Sequence, residues 1–254
     1  MMNHQIENIL RGIIRECRQY FHQKTMRDSM EDYRTYLLDQ TERLRQQNNP
    51  DNEKWIQNNL SVLADQDEIF EAALENEADY KKLINRILKR FDQLDETSVS
   101  ADFIKQFKRY LPNLKINDQY DSISGLFFEY DSQPILQMTC FPKQNFELVL
   151  ETPKYIKFEN GNYAAEIAVE VDFSKVAKPV FSDDWDEMIW AFENELEYFH
   201  KLKEMHITFA FLCLHLALKS PEIVSILDQL PIENGALFYA NEHDEEVRTI
   251  YVKP

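Results

Sequence analysis

Glycine is scarce in this chain of 254 residues. There are four, Gly12, Gly125, Gly161 and Gly235, and they stand far apart. Dinucleotide-binding turns and Walker A loops need glycines clustered where backbone amides approach a phosphate, so neither can be drawn. Cysteine is also rare. Cys17, Cys140 and Cys213 are odd in number, distant in sequence and set among apolar residues. That excludes a disulfide framework and predicts buried free thiols in a reducing compartment. The longest apolar run, 207–218, is interrupted by His215 and falls short of the roughly 20 residues a membrane span needs. The N-terminus, Met1-Met2-Asn3-His4-Gln5-Ile6-Glu7, has no basic-then-apolar leader. These absences predict a cytoplasmic protein that does not engage a membrane.

Basic charge is in deficit as well. There are 28 lysines and arginines against 45 acidic side chains, a net charge of −17. Such a surface repels phosphate backbones and anionic membranes. Direct nucleic-acid binding is therefore disfavoured, while a basic protein would be steered toward it. The imbalance is uneven: residues 1–115 carry 18 basic and 20 acidic side chains, residues 116–254 carry 10 and 25. An electrostatic partner is expected to meet the second part.

What the chain does have is a packable core: 44% of its residues are apolar and 13% aromatic, which excludes disordered and collagen-like classes. The first 112 residues read as helices. Ile6, Ile9, Leu10, Ile13, Ile14, Cys17, Tyr20 and Phe21 recur every three or four residues, one apolar stripe on one helix. Further helices are expected over about 29–45, a short stretch around Trp55 and Leu63, about 67–92, and about 100–111, the last stopped by Pro112. The period then changes. Strands are expected at 126–130, 135–141, 146–151, 155–158 and 163–173, with Asn160-Gly161 as a hairpin turn. Ser182-Asp183-Asp184 starts a helical pattern reaching Lys219, with a break expected near Met205-His206. Ser220-Pro221 starts another helix, and strands at 236–239 and 247–252 close the chain. The fold class is α+β: an N-terminal helical region (1–112), then an antiparallel β-meander packed with C-terminal helices and a closing β-hairpin (113–254). The pattern fits two tightly docked domains or one continuous domain.

Chemistry is harder to find. Glu197 and His200 have E-x-x-H spacing, but a di-iron site needs a second such motif and facing carboxylates, and none exists. A solvated polar helix face explains the pair. Arg15 and His22 have an Arg-x6-His spacing that resembles the motif of HEPN-type ribonucleases, helical bundles in which the two side chains meet near RNA phosphate. The match covers two residues, and their place in the first helix departs from that family's. A surface arginine and a boundary histidine are the favoured reading. Lys82, Arg86, Lys89 and Arg90, then Lys105, Lys108, Arg109 and Lys115, form a local basic patch that the helix dipole accounts for. His215 reads as a hydrogen-bonded core residue. There is no G-x-S-x-G elbow. No catalytic residue, cofactor or metal set is assigned.

The densest acidic cluster is Asp183, Asp184, Asp186 and Glu187 around Trp185, followed by Glu193 and Glu197. Acids rimming an aromatic anchor suit a protein interface. These residues lead to the expectation of a non-enzymatic binding protein, an inhibitor or immunity-type protein that neutralises a basic partner. A nuclease or metal-dependent hydrolase with an unpatterned site, and a self-assembling structural protein, are the alternatives.

Overall fold

The computed structural model describes residues 2–47, 49–75, 77–130, 135–156, 163–177, 197–242 and 246–254. The protein is α+β. In chain order its elements are α1 (Met2–Gln23), α2 (Met26–Gln46), α3 (Glu53–Glu75), α4 (Glu77–Phe91), α5 (Glu96–Tyr110), β1 (Ile123–Tyr130), β2 (Ile135–Pro142), β3 (Ala165–Asp172), α6 (Ser174–Ala177), α7 (Glu197–Leu218), α8 (Pro221–Leu227), β4 (Ile232–Glu242) and β5 (Arg248–Val252). The chain forms two compact units, each gathered from separated stretches. One comprises 1–15, 93–179 and 206–254, the other 16–92 and 180–205.

The first unit is built on a five-stranded sheet of order β3-β2-β1-β4-β5. β1, β2 and β3 form an antiparallel meander and β4–β5 an antiparallel pair, but β4 joins β1 in parallel. This corrects the expected five-stranded meander. A parallel pair needs a long crossover, and α7 and α8 lie in the chain between β3 and β4.

Side chains alternate across the sheet. One face carries Phe128, Phe238 and Tyr251, all fully buried. Phe107 of α5 meets Phe128 edge-on at 5.9 Å, and Tyr251 stands edge-on to Phe238 at 5.1 Å. The other face gathers Phe127, Phe141 and Tyr239 with Val149 and Val247. Residues 143–153 form no strand, contrary to the expectation for 146–151. They cross this second face as a strap. Phe146 lies against Phe127, Phe141 and Tyr239, so close to the β1 backbone that a Cβ on Gly125 would stand 2.2 Å from its ring. Gly125 is thus the residue that lets the strap seat. Likewise 155–156 form no strand. Lys154 makes only an isolated bridge to Val247. The rest of that expected strand and the Asn160-Gly161 turn lie outside the described residues.

The closing strand expected at 236–239 begins earlier, at Ile232, and so takes in Asn234-Gly235. The pair sits within β4, where the register to β1 jumps from Ile232 to Leu237. Gly235 has φ +83°, a left-handed conformation that a Cβ would penalise.

Both outer edges of the sheet carry a side-chain amide where a further strand would bond. On β3, Gln106 of α5 accepts from the Asp172 N–H and donates to its carbonyl, both at 2.8 Å. On β5, Asn3 of α1 accepts from the Val252 N–H at 2.9 Å and donates to its carbonyl at 2.8 Å. Each carboxamide stands in for a peptide group and covers polar backbone that otherwise invites aggregation. Gln106→Ala and Asn3→Ala are each expected to cost about 1–2 kcal/mol, two ordinary hydrogen bonds. The losses should add in the double variant, since the sites share no partner. Urea unfolding of the three variants checks this.

The second unit is helical. Its core includes Cys17, Leu37, Ile56, Leu63, Leu83, Ile84, Ile87 and Phe91, and α2 packs on α3. Thr25 caps α2 reciprocally with Asp28, a capping box that starts the helix earlier than its apolar pattern suggests. Asp95 does the same for α5 by accepting from Thr97 and Ser98 amides. The helix expected over about 67–92 is covered by α3 up to Glu75 and by α4 from Glu77, and the one expected around Trp55 runs through to Glu75. Arg18 ties α1 to the end of α4, bonding Asp92 at 2.8 Å and lying over the Phe91 ring. α7 passes through Met205 and His206 without the expected break. Its described part, Glu197–Leu218, is 22 residues long, about 33 Å at 1.5 Å per residue.

Candidate functional site

Asp183, Asp184, Trp185, Asp186, Glu187 and Glu193 lie outside the described residues, and Glu197 opens α7. The candidate acidic interface therefore stays an expectation of the sequence. Two sets stand out among the described carboxylates past residue 115. Glu147, Glu204, Glu222, Asp228 and Glu233 are paired with Lys154, Lys201, Lys108, Lys253 and Lys143 respectively. Asp118, Asp121, Glu151, Glu170, Asp172 and Glu246 are exposed and form no ion pair among the described residues. Exposed pairs of the first kind add little stability, yet they neutralise part of the acidic surplus.

The three cysteines are free and buried. Burial pushes each thiol up to about 12, the reverse of what a nucleophile needs. Glu204 adds to this at Cys17, whose Sγ lies 3.7 Å from the carboxylate.

Two histidines of α7 are wholly buried. His206 Nε2 lies 2.5 Å from the Val176 carbonyl, so that nitrogen carries the hydrogen. Burial pushes its pKa down to about 4, against the opposing pull of that carbonyl. His215 Nδ1 meets the Ile250 carbonyl at 2.6 Å, and its ring stands against Tyr251. It is the hydrogen-bonded core residue its apolar neighbours predict, with its pKa lowered mainly by burial. Above it runs a chain of charges. Lys219 bonds Glu7 at 2.5 Å, Glu7 bonds Arg11 at 3.2 Å, and Arg11 bonds Glu96 twice at 2.9 Å. The Lys219 bond is the main reason the Glu7 carboxyl is held below its usual range. This network joins α1, α5 and Lys219, the residue that follows α7, within the first unit.

Other candidates separate. Arg15 and His22 are both exposed on α1. The side chains of Glu197 and His200 are not among those described. The basic stretches divide between the units: Lys82, Arg86, Lys89 and Arg90 on α4, Lys105, Lys108 and Arg109 on α5. Lys108 is engaged by Glu222, and Arg109 lies over Tyr110. Among the described residues no group of three or more metal-ligating side chains converges. No single described helix is long and apolar enough to cross a membrane.

Sequence reading missed the carboxamides of Asn3 and Gln106, and also Lys253. Lys253 is 4% exposed and donates to the Ile232 carbonyl at 2.7 Å. No local pattern marks a polar residue whose partner lies far away in the chain. No protein-family model matches the chain, and neither the curated proteins nor the solved structures give a match.

Proposed function

We propose that this chain is a non-enzymatic cytoplasmic binding protein that uses an acidic surface to neutralise a basic protein, in the manner of an inhibitor or immunity protein. The observation that carries the reading is the charge distribution: 25 acidic against 10 basic side chains past residue 115. Carboxylates held there would occupy a surface that the partner otherwise uses to grip an anion. Two structural features support it. Six carboxylates of that region are exposed without a described ion pair, so the surplus is only partly neutralised internally. The buried thiols and His206 are set in the core with pKa values far from those of working nucleophiles or bases.

The residues proposed to contact the partner are Asp183, Asp184, Trp185, Asp186, Glu187, Glu193 and Glu197, a run of acids around one aromatic in the sequence. Long-range steering of this kind weakens with ionic strength. Proteins co-purifying with the chain at low salt are expected to include a basic protein whose affinity falls steeply toward moderate salt. Mass spectrometry and titration of the purified pair check this. A partner insensitive to salt, or none at any ionic strength, would overturn the proposal.

A further inference from the structure

We infer that the outer edge of β3 is a strand-addition site for an extended lysine- and arginine-rich segment, with the Gln106 carboxamide as its displaceable placeholder. The inference rests on the acidic-surface reading above and adds where and how the partner docks.

Among the described residues, β3 ends the sheet and pairs with β2 alone. Its Asp172 turns both peptide groups outward, because both bond Gln106 and not β2. The alternation of an antiparallel ladder then turns the N–H and carbonyl of Glu170, two residues back, to the same side. Among the described residues nothing bonds them. Gln106 thus makes the two bonds an added strand would make, through a side chain that can rotate away.

The opposite edge differs. On β5 the main chain itself bonds outward, Thr249 to Val149 and Val247 to Lys154 in both directions, with Asn3 beyond. Main-chain cover of that kind leaves no room for a guest. The register irregularity between Met138 and Cys140 of β2 limits addition on β3 to the stretch ending at Asp172.

Charge selects the guest. Glu170 and Asp172 are exposed, and the register sets Glu170 beside Gln137 and Gln137 beside Glu129. A second copy of β3 would bring like charges opposite one another, which is unfavourable. A cationic strand would meet carboxylates and complete the ladder. Strand addition draws affinity from main-chain bonds and specificity from side chains.

The test uses the full chain and two end-blocked peptides of alternating lysine and valine, one of them N-methylated at every second residue so that it cannot bond the edge. Fluorescence anisotropy at low salt is expected to show the unmethylated peptide binding about tenfold more tightly than its methylated twin. Gln106→Ala should tighten it several-fold further, with thermal melting confirming that the variant is folded. Equal binding of the two peptides, no binding of either, or weaker binding to Gln106→Ala would overturn the inference. If saturating peptide leaves the co-purifying basic protein bound, this docking mode is wrong while the acidic-surface reading stands. If the peptide binds as expected but no salt-sensitive partner exists, the edge stands and that reading fails.

Discussion

Between pH 6.5 and pH 4 the folded chain is expected to lose about 3 kcal/mol of stability through His206 alone. The sign follows from the direction of the shift. In the unfolded chain an imidazole takes up its proton near pH 6.5. In the folded chain His206 resists until about pH 4, because its charge would be stranded in the core. Acid therefore favours the unfolded state throughout that window and adds no further penalty below it. His215, also lowered by burial and facing Lys219 just past the end of its helix, Glu7 and Arg11 of α1 and Tyr251 of β5, acts in the same direction. Glu7 is held low by Lys219, so its contribution is present above the ordinary carboxylate range and is lost as pH falls through its folded value. His206→Gln keeps an N–H for the Val176 carbonyl and removes the titration. Urea unfolding across pH should show a profile flatter by about 3 kcal/mol in this variant. An unchanged profile would mean that His206 does not carry the acid sensitivity.

Phe107→Ala is expected to cost about 3–5 kcal/mol, the range for emptying a buried aromatic site. Phe107 is wholly buried, and its ring anchors α5 to the sheet through Phe128. Phe128 in turn stacks on Phe238, which meets Tyr251. The loss is a large part of what holds a typical domain folded. Phe107→Leu, which leaves a smaller void, should cost clearly less. A difference of under 1 kcal/mol between wild type and Phe107→Ala would mean that α5 is held by something other than this contact. Guanidinium unfolding measures it.

Helices were the most legible part of the sequence because apolar residues at spacings of three and four mark a buried face wherever it lies. Their starts were less so. Thr25 and Asp95 cap α2 and α5 ahead of the apolar stripe, and a cap is decided by one hydroxyl or carboxylate. Phe146 to Glu151 reads as a strand because aromatic and aliphatic residues crowd there. Yet Phe146 and Val149 pack down onto the sheet as a strap, over a gap left by Gly125. Gly235 adopts positive φ at an irregularity inside β4, where no hairpin turn marks it. The parallel union of β1 with β4 had no local signature, since 101 residues lie between Tyr130 at the end of β1 and Ile232 at the start of β4. The same holds for charge. Composition revealed the acidic surplus, whereas the pairing of Lys108 with Glu222 across the chain could be read only from the fold.

Neutralising the acidic cluster tests the central claim most directly. Asp183→Asn, Asp184→Asn, Asp186→Asn and Glu187→Gln combined in one chain leave Trp185 and the side-chain shapes in place. Isothermal titration against the co-purifying basic protein is expected to show affinity reduced at least about a hundredfold, or about 2.7 kcal/mol, and a shallower dependence on salt. Affinity and salt dependence equal to those of the wild-type chain would contradict the account.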